Sequence, residues 1–224
     1  GAQFHQVPPV TVTSIRFHAM KLMYHPASFN SQRVLAVAAH LEIPLDKQVV
    51  ELASGECQTD EFLSLNPNGY IPVLVDGTFV LWESTAIMQY LASKWPNALW
   101  PDSAQARADI VRWQSWGLAE FQKSTGVFRF ENMLKALFEL GDPCPKELSY
   151  ARELFFEQAG VLEQHLSGRQ WLVGDGPTLA DFSIAGNFYL SDRTRLPVQP
   201  YSNIQRWINR VFALKGWAQL NPAD

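Results

Sequence analysis

Cysteine is scarce in this chain. Cys57 and Cys144 are the only two, too few for a framework of bridges or a thiolate metal site, which predicts a reducing compartment and no disulfide. The five histidines fall at no ligand spacing, so no metal is expected. Positive charge is not in excess: 18 Lys and Arg against 22 Asp and Glu leave a net charge of −4. That balance argues against nucleic acid or an anionic membrane surface as the main partner. No apolar run reaches the length of a membrane span or signal core, and no basic cluster opens the chain, which predicts a cytoplasmic address. Internal repeats are also missing. What the chain does have is 47% hydrophobic residues over 224 positions, enough for one large or two small packed cores. These bounds leave a soluble globular protein acting on something small.

The most informative stretch is residues 66–84, a proline-led strand, a tight turn, a second strand and an abrupt polar stop. Asp76-Gly77 between Val73-Leu74-Val75 and Phe79-Val80-Leu81-Trp82 predicts a hairpin, since both central residues of its turn favour φ > 0. Pro72 cannot donate to a ladder, so it belongs at a strand start and leaves the main chain of Ile71 free to pair with a ligand backbone. A cis Ile71–Pro72 bond would turn those groups outward. Glu83-Ser84 then opens the apolar-periodic run Ala86-Ile87-Tyr90-Leu91, which makes Ser84 the expected N-cap of a helix. Free amides at such a helix start attract a carboxylate.

The rest of the chain is read around this stretch. Val10-Thr-Val-Thr13, within an extension over residues 1–19, is either an accessory strand or an upstream-start remnant. Met20–Tyr24 is a first strand that Pro26 ends before a helix with Val34, Leu35, Val37 and Ala38 inside. Lys47–Leu52 is read as the second strand, followed by a short helix near Glu61–Leu65. The segment between Lys94 and Ala104 is a linker. Beyond it only helices are predicted: Ala104 to about Phe121, Lys146–Leu166, Leu179–Leu190, and a covering helix carrying Ile204, Trp207, Ile208 and Val211 at helical spacing. Thr178-x-x-Asp181 fits a capping box, which makes Asp181 a structural cap.

Three motifs taken together, Lys21-Leu-Met-Tyr-His-Pro-Ala-Ser28, Asn-Pro-x-Gly-x-x-Pro-x-Leu over 66–74 with Glu-Ser-x-Ala-Ile over 83–87, and Thr178-Leu-Ala-Asp181, resemble the cytosolic glutathione transferase superfamily. The serine types, phi-like and theta-like, look nearest. The resemblance implies an α/β thioredoxin-like domain over 20–96, a linker over 97–103 and an all-α helical-bundle domain over 104–224. It also implies glutathione as cosubstrate, a small hydrophobic electrophile as second substrate, no metal, and a homodimer.

By the same resemblance Ser28, on its own readable as a helix cap, would donate its hydroxyl to the thiolate of glutathione, with Ser31 on the same turn as the rival. Glu83 would accept from the γ-glutamyl ammonium, Ser84 would take the neighbouring carboxylate, and Ile71, set by Pro72, would pair with the cysteinyl unit. The departure lies at the glycyl end, where Cys57-Gln58 stands for His-Lys and Tyr70 for Lys or Gln. Gln58 and Tyr70 remain as the expected contacts there. Phe29, Trp116 and Phe121 are the expected electrophile site. The implied function is conjugation of the glutathione thiolate to an electrophilic carbon. The alternatives are a glutathione-dependent disulfide oxidoreductase, kept open by Cys57, and a non-catalytic binding protein on the same fold.

Overall fold

The computed structural model describes residues 19–220, so the Val10–Thr13 segment lies outside the described residues. Strand β1 (Met20–Tyr24) is followed by helix α1 (Phe29–His40) and by β2 (Leu45–Val49), which runs parallel to β1. After helix α2 (Asp60–Leu65), β3 (Val73–Asp76) and β4 (Phe79–Trp82) complete one four-stranded sheet in the order β2-β1-β3-β4, with β3 antiparallel to both its neighbours. Helix α3 (Ser84–Ser93) closes the unit. This is a thioredoxin-like domain, and it packs through α1 and α3, with Val34, Leu35, Val37, Ala38, Ile87 and Leu91 all buried.

Three boundaries differ from the sequence reading. Strand β2 starts at Leu45, directly after Pro44, and ends at Val49; Leu52 belongs instead to a short 3-10 turn. All but Leu45 of its residues are exposed, as befits an edge strand carrying Asp46 and Lys47, so no alternation marks it. The hairpin loop is Gly77-Thr78, because Asp76 pairs with Phe79 in the ladder and Gly77 alone of the two loop residues takes positive φ. Asp76 is held there by its side chain, which accepts from Tyr90 Oη at 2.7 Å and from Lys94 Nζ at 2.8 Å. The N-cap of α3 is Glu83, and Ser84 is the first helical residue.

The second domain is all helical. Its first rod runs on far past Phe121: α4 (Ala104–Trp116), a π-type segment Gly117–Phe121, α5 (Gln122–Arg129), a second π-type segment Phe130–Leu134, and α6 (Lys135–Leu137). Helix α7 (Pro145–His165) packs beside α5, and α8 (Leu179–Ala185) is buried at every position. The helix expected to reach Leu190 ends at Ala185, continues as a 3-10 turn over Gly186–Phe188, and breaks where Leu190 takes φ 59°. Helices α9 (Ser191–Thr194), α10 (Ser202–Phe212) and α11 (Lys215–Ala218) are the last elements among the described residues.

One device holds this domain and another joins it to the first. Thr178 and Asp181 form a capping box at the start of α8, and the buried Asp181 carboxylate also accepts from Leu172 N at 3.0 Å and Trp207 Nε1 at 2.8 Å. Gly216 in α11 meets α1 so closely that a Cβ there would lie 2.0 Å from the Ala36 carbonyl oxygen. Only glycine permits that approach.

Candidate functional site

The turn between β1 and α1 is built by local hydrogen bonds. Ser28 N donates to the His25 carbonyl at 3.0 Å, Ala27 N donates to His25 Nδ1 at 3.1 Å, and Gln32 Nε2 reaches back from α1 to the Pro26 carbonyl at 2.7 Å. Burial holds His25 below its ordinary pKa of 6.5, which keeps Nδ1 available as the acceptor. Ser28 is the N-cap of α1, its Oγ accepting from Ser31 N at 3.2 Å. That bond uses a lone pair and leaves the hydroxyl proton free to donate. Ser31 is fully buried, and its Oγ accepts from His25 N at 3.4 Å.

Opposite this turn, Asn66 shapes the loop before β3. It is buried, donates to the Tyr70 carbonyl at 2.7 Å and accepts from Asn68 N. The Ile71–Pro72 peptide is cis, and Ile71 makes no main-chain hydrogen bond among the described residues. Glu83 sits at φ 75°, a region costly for a residue with a Cβ and typical of functional sites. Its carboxylate has no partner among the described residues, and the amides of Ser84, Thr85 and Ala86 at the start of α3 are likewise unpaired there.

These elements enclose a cavity of about 470 Å³, within the range of small-molecule sites. Ser28, Phe29, Tyr70, Ile71, Pro72, Glu83 and Ser84 all line it. Gln58 does not: its side-chain amide is folded over Gly69, and Cys57 beside it takes the place on the wall. Burial and the neighbouring Glu56 push the Cys57 thiol above its ordinary range, so it is held as the neutral thiol.

Trp116 and Phe121 are also off the wall, which corrects their assignment to an electrophile site. Phe121 is fully buried, stacked on Trp116 and packed against Phe155 and Phe188, so it has no face to offer a ligand. The helical domain contributes Gln122, Arg129, Leu134 and Phe138 in their stead. Gln122 and Asn30, both on the cavity wall, each bury a side-chain oxygen with no partner among the described residues. Arg129 is the residue that sequence reasoning missed. It lies in the Phe128-Arg-Phe130 run, and an arginine on a long helix reads as solvent-facing, yet it is 4% exposed. Its guanidinium carbon lies 3.4 Å from the Phe29 ring centroid, and Nη1 donates to the Ala27 carbonyl at 3.4 Å. Among the described residues no group of side chains could hold a metal ion, and no helix is long and apolar enough to cross a membrane.

Comparison with known proteins agrees with this architecture. The profile of the glutathione S-transferase N-terminal domain matches residues 27–94, and that of the C-terminal domain matches residues 133–215. Dichloromethane dehalogenase of Methylorubrum extorquens is 30% identical over 204 residues, covering 86% of this chain and 70% of that protein. Among solved structures, glutathione S-transferase III in its apo form is 30% identical with a TM-score of 0.80, over 90% of this chain and 95% of that one. A glutathione S-transferase of Pseudomonas fluorescens is 28% identical with a TM-score of 0.79, over 87% and 94%. With the two domain profiles in order, a sheet of matching topology and a cavity at the junction of the two domains, the chain belongs to the glutathione S-transferase family.

Proposed function

We propose that this protein transfers the thiolate of glutathione to an electrophilic carbon, with Ser28 as the hydroxyl that stabilises the sulfur anion. The observation that carries this reading is the Ser28 hydroxyl on the cavity wall, with no acceptor for its proton among the described residues, at the N-terminus of a twelve-residue helix. A hydroxyl donor and a helix start both favour a negative charge at that point. The unpaired Glu83 carboxylate suits the γ-glutamyl ammonium, the Ser84 hydroxyl and the free amides of α3 suit its carboxylate, and Ile71 offers its main chain to the cysteinyl unit. Tyr70 on the cavity wall, with Gln58 nearby over Gly69, suits the glycyl end.

In the proposed reaction the bound thiol loses its proton to solvent, the sulfur forms a bond to the acceptor carbon, and the leaving group departs with its electron pair. The dehalogenase relative acts on dichloromethane by its name, which supports a carbon bearing a halide as the acceptor class. Disulfide exchange through Cys57 is the weaker reading, because a thiol held neutral is a poor nucleophile. We further propose that the protein works as a homodimer in the cytoplasm, which sedimentation at micromolar concentration checks against a single-chain mass of 25.3 kDa.

The test of function is retention on immobilised glutathione followed by turnover of an aryl halide and of a hydroxyethyl disulfide. Conjugation of the halide, lost in Ser28→Ala, is expected. Reduction of the disulfide, lost in Cys57→Ser, would replace this reading with the redox one.

A further inference from the structure

Two arginines stand behind the serine turn with no acid in ion-pair range among the described residues. Arg33 on α1 is 2% exposed, and its Nε and Nη2 are buried without a partner. Its guanidinium carbon lies 4.9 Å from the centroid of the same Phe29 ring that Arg129 covers at 3.4 Å. Neither arginine forms an ion pair among the described residues. Burial lowers both to about 9, and for Arg129 the charge of Arg33 adds to the effect, so both are still cations at neutral pH.

An uncompensated buried cation is among the costliest features a fold carries. Contacts with an aromatic face offset only part of that cost. Arg33 does not reach the cavity, whereas Arg129 is part of its wall. Among the described residues, a single one of the five N–H donors of Arg129 is engaged, at the long distance of 3.4 Å. The rest form a planar fork suited to a bidentate anion.

We infer that the acceptor substrate is itself an anion, an electrophile carrying a carboxylate, and that Arg129 is the residue that reads it. The inference rests on the thiol-transfer reading of the cavity given above. Glutathione is not the source of the anion, because its carboxylates are assigned to the Ser84 end and to the Tyr70 end. Arg129 comes from the helical domain and touches Ala27 and Phe29, the two residues flanking Ser28. An anion held there lies beside the reacting sulfur. Pinning the acceptor by its carboxylate fixes the electrophilic carbon in range of the thiolate, which is where positioning contributes most to rate.

The experiment uses matched pairs that differ by one carboxylate. Binding of 3,5-dinitrobenzoate and of 1,3-dinitrobenzene is measured by calorimetry. Glutathione conjugation is then followed with 4-chloro-3,5-dinitrobenzoate and 2-chloro-1,3-dinitrobenzene, each rate divided by its uncatalysed rate at the same pH. In both conjugations the sulfur bonds to the ring carbon and chloride leaves with the electron pair. The parent protein is expected to prefer the carboxylate member by about tenfold or more in both measurements, the size of one charge-assisted pair. Arg129→Gln erases the preference, Arg129→Lys keeps part of it, and neither changes glutathione affinity by more than about threefold. Arg129→Gln is expected to melt no lower than the parent, because it removes an unpaired buried charge, and the Lys variant covers the case in which it does not fold. Equal binding of the two members by the parent, or a preference that survives Arg129→Gln, overturns the inference. So does a loss of glutathione affinity in Arg129→Gln, which would assign the guanidinium to the tripeptide. A carboxylate preference in binding with no conjugation of either halide leaves the anion site standing and removes the thiol-transfer reading.

Discussion

The indole Nε1–H of Trp207 donates to Asp181 Oδ1 at 2.8 Å, so α10 is fastened to the first turn of α8 by a single buried carboxylate. The same carboxylate takes Leu172 N and Thr178 N. Truncation to Ala strands three buried N–H groups, each costing about 1–3 kcal/mol if left unpaired. Asp181→Ala is therefore expected to lose more than the roughly 0.5–2 kcal/mol of an ordinary cap, while its folded fraction keeps full activity. Chemical denaturation and activity per folded molecule check this; a variant that melts like the parent but is inactive contradicts it.

Asp181 also sets a pH dependence. Burial raises its folded pKa from 3.8 to about 6, above the unfolded value. Its titration therefore contributes stability that is fully present below about 3.8 and is lost as pH rises through about 6. The stability gap between the parent and Asp181→Asn should widen on acidification from pH 7 to pH 4, by on the order of 2–3 kcal/mol. A gap that is flat over that window, measured by urea titration, rules the effect out.

For Ser28 the size of the effect is bounded in advance. A free thiol with a pKa of about 8.5 is only about 3% thiolate at pH 7, and lowering it to about 6.5 takes about 2.7 kcal/mol. One charge-assisted hydroxyl bond with a helix N-terminus supplies that much, but nucleophilicity lost with the lower pKa gives back about six- to tenfold. Geometry must then carry most of the rate. Ser28→Ala is expected to raise the bound thiol's pKa by about one unit or more and to cut turnover by more than about tenfold, with glutathione affinity kept within a few-fold. Ultraviolet titration of the bound thiolate reads this. Ser31→Ala, at a fully buried position, should lower stability and leave that pKa in place.

At the glycyl end the expectation concerns charge. Gln58 is folded over Gly69 and brings no cation to the cavity. Gln58→Lys is expected to tighten glutathione binding by about fivefold, through one charge-assisted bond in place of a neutral one, and to make binding weaken with salt. Titration calorimetry at two ionic strengths decides it, and no gain at low salt would show that a lysine at position 58, off the cavity wall, does not reach that carboxylate.

Gly216→Ala tests the seam between the domains. The added Cβ would lie 2.0 Å from Ala36 O and 2.7 Å from His40 Cβ, so α11 must move off α1. A loss of about 1–3 kcal/mol is expected, visible as a lower melting temperature, and an unchanged melt would show that the seam yields freely.

Much of the fold was legible because its signals are local. Periodicity marked α1 and α7, Pro72 marked the start of β3, and Thr178 with Asp181 marked the start of α8. The misses have tertiary causes. The hairpin loop fell one residue later than Asp76-Gly77 because Tyr90 and Lys94 hold the Asp76 side chain in the ladder. Strand β2 was misread because an exposed edge strand shows no alternation. In the cavity, the residues supplied by the first domain were readable from their motifs, whereas those of the helical domain were not. Trp116 and Phe121 carried the aromatic signal, but they stack on each other, and Phe121 packs on Phe155 of α7 and on Phe188. Arg129 carried none, since nothing in sequence distinguishes a buried unpaired arginine from a solvated one.

The two π-type segments, Gly117–Phe121 and Phe130–Leu134, bracket α5, and Gln122 and Arg129 are its first and last residues. Such a segment amounts to one extra residue in an α-helix, and one residue turns the helix by about 100°. The angular phase of α5 is thus set independently of the helices on either side. Deleting one residue from the first segment and restoring it in the second would rotate a different set of side chains into the cavity while α4 and α6 keep their own packing. Acceptor choice in this chain is therefore open to change by paired insertion and deletion as well as by substitution.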